Sequence, residues 1–199
     1  MIIKNAEFYR SIKLKQDYFN ENIPEIAIVG KSNVGKSSLI NMLTKNSKLA
    51  RVSKQPGKTR LINYFLINRE FYLVDLPGYG FARVSKEEKA SWDGMMKDYF
   101  ESSKNLKLVV ILMDIRHKPT EEDKMMLRFV EYYAIPYMIG ATKADKIAKS
   151  KRKNELFKLR RECPTSFDYK MVALSNEGIG KEELLDIFDS YLAPETEQK

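Results

Sequence analysis

The sequence predicts an α/β fold of three layers, with a mainly parallel six-stranded sheet, one antiparallel strand, and helices packed on both faces. Three observations carry that expectation. Short apolar runs rich in Val, Ile and Met alternate with stretches of helical spacing along the chain. One pair of apolar runs is separated only by Asn68-Arg69-Glu70, a hairpin-length connection that accounts for the antiparallel strand. A glycine-bearing turn, Gly30 to Ser37, joins an apolar run directly to a helical stretch.

The elements follow in order. Glu25-Ile26-Ala27-Ile28-Val29 reads as a buried strand, and Ser37 to Lys45 as a helix with Leu39, Ile40, Met42 and Leu43 on a broad apolar face. Leu61 to Ile67 and Phe71 to Leu76 are the hairpin strands. Lys86 to Phe100 reads as a helix that turns Trp92, Met95, Met96, Tyr99 and Phe100 inward. After the strand Leu108 to Met113, a helix over Thr120 to Tyr133 opens with a capping box, Thr120 and Asp123. It is expected to bury Met125, Met126, Phe129, Val130 and Tyr133. Tyr137 to Ala141 and Tyr169 to Leu174 are the last two strands, and Lys181 to Leu192 closes the chain with Leu184, Leu185, Ile187, Phe188 and Leu192 on one face. The Met and aromatic stripes read as core rather than cofactor contacts. No repeat and no dividing linker is evident, so residues 1–199 are expected to form one domain. Residues 1–23 form a short N-terminal extension to it, and residues 195–199 a frayed polar tail.

Composition narrows the class. At 199 residues the chain is long enough to bury roughly two-thirds of its extended surface. With 43% hydrophobic and 31% charged residues, nine Gly and seven Pro, it is neither disordered nor fibrous. No apolar run reaches the roughly 18 residues of a membrane helix. The N-terminus mixes Lys4, Glu7, Arg10 and Asp17 with apolar residues, unlike a secretory signal. The lone Cys163 excludes an internal disulfide framework, and a single His leaves little for a zinc site. A cytoplasmic protein, monomeric by default and without membrane contact, is expected. The formal charge of +8 is concentrated: Lys143 to Arg161 holds nine Lys or Arg against two acids, +7 of the total. That segment reads either as a solvated helix face or as a polyanion-binding surface.

Gly30-Lys31-Ser32-Asn33-Val34-Gly35-Lys36-Ser37 matches the G-x-x-x-x-G-K-S/T pattern throughout, with Ser38 following inside the helix. Glycines let successive backbone N–H groups converge on phosphate oxygens, and the helix N-terminus adds partial positive charge. Lys36 is expected to neutralise the β- and γ-phosphates and the Ser37 hydroxyl to ligate magnesium. Asp75-Leu76-Pro77-Gly78 ends an apolar run 39 residues beyond Lys36. Asp75 would reach the magnesium through water, and the Gly78 N–H would sense the γ-phosphate. Pro56-Gly57-Lys58-Thr59 supplies, in Thr59, the second direct magnesium ligand of the triphosphate state. Thr142-Lys143-Ala144-Asp145 follows an apolar run. The Asp145 carboxylate can accept from the N1–H and exocyclic amine of guanine, an edge adenine lacks. Lys143 can lay its stem along the purine. The usual motif here is N-K-x-D, so Thr142 must make the bonds of that Asn differently or lose them.

The segments GKSNVGKSSLIN, PGKTRLINYF, DLPGYGFARVSK, DIRHKPTEED and TKADKI together closely resemble the EngB-type bacterial GTPases, also called the YihA/YsxC family. The likeness spans roughly residues 5–192, with the same motif order and little inserted material. It implies a Ras-like fold, GTP and GDP as ligands, and a role in assembling the large ribosomal subunit. The basic segment is then economically read as a surface for ribosomal RNA, bound through phosphates. In such proteins a loop before the last helix meets the guanine O6. The matching stretch is Val172-Ala173-Leu174, which lacks the customary leading hydroxyl, with Ser175 near enough to shift the register by a residue or two.

Ras-like enzymes place a Gln just after D-x-x-G to orient the attacking water, where this chain has Tyr79. Slow intrinsic turnover is therefore expected, on the order of the unassisted Ras rate. In several GTPase families without that Gln, an Asn at the position of Asn33 helps bind potassium; a turn-forming Asn is the plainer reading. Two other functions compete: a GTP-dependent signalling switch with a protein partner and no RNA, and an ATP-using kinase of small molecules. Thr142 to Asp145 and the lack of a lid segment speak against the kinase. The ending Glu197-Gln198-Lys199 carries no lipidation motif.

Overall fold

The computed structural model describes residues 1–13, 17, 21–50, 61–80, 85–163, 165 and 168–193. Among the described residues, seven strands form one sheet: β1 (Ala6–Ile12), β2 (Glu25–Gly30), β3 (Ile62–Ile67), β4 (Phe71–Asp75), β5 (Leu106–Asp114), β6 (Tyr137–Thr142) and β7 (Lys170–Ala173). Five α-helices among the same residues alternate with them: α1 (Lys36–Thr44), α2 (Lys86–Ser102), α3 (Glu121–Tyr132), α4 (Lys149–Glu162) and α5 (Lys181–Leu192). The strand order is β1-β3-β4-β2-β5-β6-β7. Only β3 runs against the others, pairing antiparallel with both β1 and β4.

The expected sheet of six strands gains a seventh from the stretch read as an extension. β1 pairs from Ala6 opposite Ile67 to Ile12 opposite Ile62, with a bulge between Phe8 and Arg10. It is an edge strand. Ile12 is fully buried, while Glu7, Phe8, Arg10 and Ser11 are exposed. Charges along an outer strand discourage pairing with another chain, and the same charges hide its apolar period from the sequence.

Alternation along the central strands builds the three layers. Ala27 and Val29 of β2 belong to one apolar cluster, with Met96 of α2, Met126 of α3 and Leu159 of α4. Ile26 and Ile28 point the other way, with Leu39 and Ile40 of α1 and Leu184 and Phe188 of α5. The helical stripes sit as expected except at Met125, which is 47% exposed. Met126 and Leu127 take the inward positions on α3. The Thr120–Asp123 capping box is present, and α2 has a second one in Ser85 and Glu88. Between β3 and β4, Asn68 and Arg69 both adopt positive φ, as the tight turns of hairpins require. Cys163 is buried beside Met113, and burial pushes its thiol up to about 11, so it stays protonated. Among the described residues, no helix is long and apolar enough to cross a membrane.

Candidate nucleotide-binding site

The C-terminal ends of the parallel strands carry the loops of interest, at the edge where open α/β sheets bind ligands. Gly30 ends β2, Lys31 to Gly35 form the following loop, and Lys36, Ser37 and Ser38 open α1. Gly35, the residue before α1, has φ 105°, a conformation that Gly adopts without strain. The first turn of α1 has neither a side-chain cap nor an acid, whereas α2 and α3 both have capping boxes and acids there. The orphan N–H groups of α1 are thus left for an anion. The following loop approaches closely: a Cβ at Gly78 would lie 3.1 Å from the Gly30 carbonyl oxygen and 3.6 Å from the Ser32 nitrogen.

Lys36 Nζ pairs with the Asp75 carboxylate, and both side chains are largely covered. Magnesium and phosphates entering here would draw these two charges apart, Lys36 to phosphate and Asp75 toward the metal. Beyond Asp75, Leu76 is fully buried and Pro77 accepts a hydrogen bond from Trp92 Nε1 at 3.0 Å. Tyr79 forms a single parallel bridge with Lys31, and its carbonyl accepts from the Ser32 N–H at 3.0 Å. Its ring turns into the core. The Tyr79 hydroxyl donates to Asp123 Oδ1 at 2.8 Å, and the ring meets Trp92 edge to face. Burial first, and the Asp123 carboxylate second, push the phenol far above its ordinary value, so it remains a donor. Tyr79 is therefore a docking residue for this loop, its side chain directed at α3 and α2.

At the far side, Thr142 ends β6, and the buried Thr142 hydroxyl lies 2.8 Å from the Val34 carbonyl oxygen and 3.1 Å from that of Met113. The bond to the phosphate loop expected of an Asn is thus made by a hydroxyl. Lys143 follows with φ 60°, and its ammonium lies 3.0 Å from Asp114 Oδ2. Arg116 holds the same carboxylate through Nε at 2.9 Å and a second nitrogen at 2.7 Å. Burial alone would raise the Asp114 pKa, but the Arg116 and Lys143 hydrogen bonds outweigh it and hold the group well below the carboxylate range. The Asp114–Arg116 clamp was missed in the sequence, where nothing local marks Asp114 as the anchor of Lys143. Asp145 pairs with Lys146 at 2.9 Å, and that bond lowers its pKa, keeping it ionised.

The third loop differs from expectation. Val172 and Ala173 lie inside β7, paired with Gly140 and Ala141, and do not line the cavity. The lining begins at Leu174 and continues through Ser175, Asn176 and Glu177. Leu174 is tied on both sides: its N–H donates to the Ala141 carbonyl at 2.7 Å and its carbonyl accepts from Ala144 N–H at 3.0 Å. The hydroxyl that seemed missing belongs to Ser175, whose Oγ accepts from the N–H groups of Glu177 at 3.1 Å and Ile179 at 3.2 Å. A Ser with two glycines just after it, Gly178 and Gly180, is the signal that marks the turn.

These three loops enclose a cavity of about 300 Å3 lined by Asn33, Val34, Gly35, Ser38, Leu39, Thr142, Lys143, Asp145, Lys146 and the segment 174–177. That is the lower end of the range for small-ligand pockets. Asn33, at φ 64°, is the exposed turn of the phosphate loop on its rim. Lys36, Asp75 and Gly78 lie beyond that lining, next to the start of α1. Pro56, Gly57, Lys58 and Thr59 fall outside the described residues.

Residues 25–143 match the family described as 50S ribosome-binding GTPase. A protein of Clostridium perfringens (strain SM101 / Type A), described as "Probable GTP-binding protein EngB", is 48% identical over 192 residues, covering 95% of this chain and 97% of that one. Among solved structures, a crystal structure of a probable GTP-binding protein engB matches with a TM-score of 0.64 and 25% identity, over 84% of this chain and 98% of that chain. Era in complex with MgGDPNP and nucleotides 1506–1542 of 16S ribosomal RNA matches with a TM-score of 0.62 and 26% identity, over 89% of this chain and 59% of that chain.

Proposed function

Because this chain belongs to the EngB family of GTP-binding proteins, we propose that it is a GTP-dependent switch and slow GTPase acting in assembly of the large ribosomal subunit. One observation carries the nucleotide reading: the phosphate loop, the Thr142–Asp145 loop and the Leu174–Glu177 loop converge on one cavity, with the ionised Asp145 on its wall. A carboxylate there rewards a base that presents two donors and penalises one that does not. The guanine contacts fall to Asp145, with the Lys143 stem on the purine face and the backbone of Leu174 to Asn176 near O6. The phosphates fall to the loop N–H groups and Lys36.

The donor set beside the phosphates fits magnesium. It consists of hard oxygens, the Ser37 hydroxyl and the Asp75 carboxylate, with Thr59 as the expected third. Magnesium sites in nucleotide enzymes take one or two protein oxygens and complete the shell with phosphates and water. The ion would neutralise charge that builds on the phosphates. The chain's own part is positional: Lys36 on the β- and γ-phosphates and Gly78 beside the phosphate loop. With the Tyr79 hydroxyl engaged by Asp123, no side chain at that position orients the attacking water, which supports a slow intrinsic rate. Asn33 on the cavity rim is the candidate for a potassium ligand. Equal hydrolysis rates in sodium and potassium chloride at fixed ionic strength would remove that role.

The large-subunit role is supported by the family's description and by the basic charge beginning at Lys143. Pelleting with purified ribosomal subunits, with GDP or a non-hydrolysable GTP analogue, tests it: nucleotide-dependent pelleting with the large subunit is expected. For base selection, Asp145→Asn should lower GTP affinity on the order of a hundredfold and raise XTP affinity. No gain for XTP would withdraw the guanine assignment.

A further inference from the structure

Helix α4 carries seven Lys or Arg and two acids, and its first turn has neither an acid nor a side-chain cap. The helix dipole opposes the cations gathered there, so Lys149, Lys151 and Lys153 do not stabilise the helix through it. Its inward face is plain. Leu159 is buried, Leu156 packs on the core, and Arg152 Nε donates to the carbonyls of Ala144 at 3.0 Å and Ile147 at 3.2 Å, anchoring α4 to the guanine-side loop.

The outward face is unusual. Lys153, Phe157 and Arg161 follow one another at four-residue steps and so form one row. Phe157 is 61% exposed at its centre and contributes nothing to either core cluster. Both acids of the helix are already engaged, Glu155 with Lys158 at 2.8 Å and Glu162 with Lys118 at 3.0 Å. No acid stands in the row itself. Among the described residues, Lys149, Lys151 and Lys153 have no ion-pair partner.

Cations alone would suit any polyanion. An exposed aromatic face in the same row is more selective, because it rewards a partner with flat, unsatisfied π surfaces between its charges. A duplex keeps its bases inside the stack, and the carboxylates of an acidic protein are not spaced by a regular series of open rings as the phosphates of an unpaired strand are by its bases. Unpaired RNA offers both phosphates and open bases, which stack on aromatic side chains. We infer that the Lys153–Phe157–Arg161 face of α4 docks single-stranded or bulged RNA, with one base stacked on Phe157 and flanking phosphates held by Lys153 and Arg161. The inference rests on the ribosomal-RNA reading above and adds the surface and the kind of RNA.

The test is fluorescence anisotropy with an unstructured RNA of about a dozen nucleotides and a duplex of the same sequence, at several salt concentrations. Phe157→Ala should weaken single-strand binding about tenfold or more, leaving its salt slope and the duplex affinity unchanged, while Phe157→Trp binds as well as wild type. Lys153→Gln and Arg161→Gln should each flatten the single-strand salt slope by about 0.7. Since Phe157 is exposed, the thermal midpoint of Phe157→Ala should match wild type. Equal single-strand binding by Phe157→Ala, an equal loss on duplex, or the same loss on polyglutamate overturns the inference. Subunit pelleting separates the two levels. Wild type and Phe157→Ala pelleting equally well with the large subunit sinks the face and keeps the ribosomal reading. A Phe157-dependent single strand without any pelleting sinks the ribosomal reading and keeps the face.

Discussion

At the guanine end of the cavity the loops are tied to one another by neutral hydrogen bonds, with ion pairs holding Lys143 to Asp114 and Asp145 to Lys146, whereas at the phosphate end the loops meet through a largely covered charge pair, a docked ring and one backbone bond. Thr142 bonds to Val34, Leu174 to Ala141 and Ala144, and Ser175 to its own turn. None of these needs to break when a base enters. In the proposed function the Lys36–Asp75 pair would break when nucleotide binds, and the Tyr79–Asp123 bond holds the loop that lies against Ser32. One end is a preformed socket. The other is built from contacts that a bound nucleotide would exchange, as the proposed switch requires.

The largest test of this contrast is Lys36→Ala. It removes the cation of the phosphate end and leaves Asp75 unpartnered, but it touches nothing at the guanine end. GTP turnover should fall by at least about a hundredfold, the scale of losing one preorganised charge stabiliser. Discrimination between guanine and adenine nucleotides, measured by competition at high protein concentration, should persist. A variant that loses base discrimination along with turnover would show that the two ends are not separately built.

Next is Thr142→Val, which keeps the shape and deletes the hydroxyl. The Val34 and Met113 carbonyls then lose a donor in a buried place, a change of about 1–3 kcal/mol. Affinity for GTP and GDP should drop together, by about tenfold, with turnover of bound GTP little changed. Thr142→Asn should recover most of the loss, since an amide can donate to the same carbonyl. Unequal losses for GTP and GDP would mean that the tie reports on the γ-phosphate and belongs to the other end.

How much of this was readable in the sequence depends on the range of the interactions. The strand–loop–helix turn that frames the expected phosphate cradle is local, eight consecutive residues from Gly30 to Ser37, and its backbone setting was legible. The helical stripes, Met125 apart, and the Thr120–Asp123 box were legible too, since their partners lie within a turn of each other. β1 was hidden because an edge strand with Glu7 and Arg10 facing outward shows little apolar alternation. The shift from Val172 to Leu174 in the third loop arose because an unbroken apolar run conceals where the strand stops. The orientation of Tyr79 had no local signal at all: its partner Asp123 lies 44 residues further on, and the sheet order alone brings them together.

That long-range bond gives the third test. Tyr79→Phe removes the hydroxyl and leaves the Asp123 carboxylate short of a donor, at about 1–2 kcal/mol. For a chain of this size the melting midpoint should fall by about 2–8 °C. Tyr79→Gln is the sharper variant. If position 79 faced the γ-phosphate, Gln would raise the hydrolysis rate toward that of a Ras-like enzyme. With the side chain directed at α3, it should destabilise the protein and leave the rate no higher. A clear gain in rate would break the assignment of Tyr79 to docking.

The smallest effect is one of pH, and it belongs to the guanine end. Arg116 and Lys143 hold the Asp114 pKa below its unfolded value, so the folded state binds fewer protons at this group than the unfolded chain does. Its stabilising contribution is therefore complete above the unfolded value of about 3.9 and is lost as pH falls through the folded one. Only the upper part of that loss falls within a range where melting can be followed. Wild type should melt above Asp114→Asn at neutral pH, and the gap should narrow below about pH 4. Parallel profiles would show that the clamp contributes nothing to folding. The ordering of Lys143 would then be left to its own left-handed backbone and to the bond between Ala144 and Leu174.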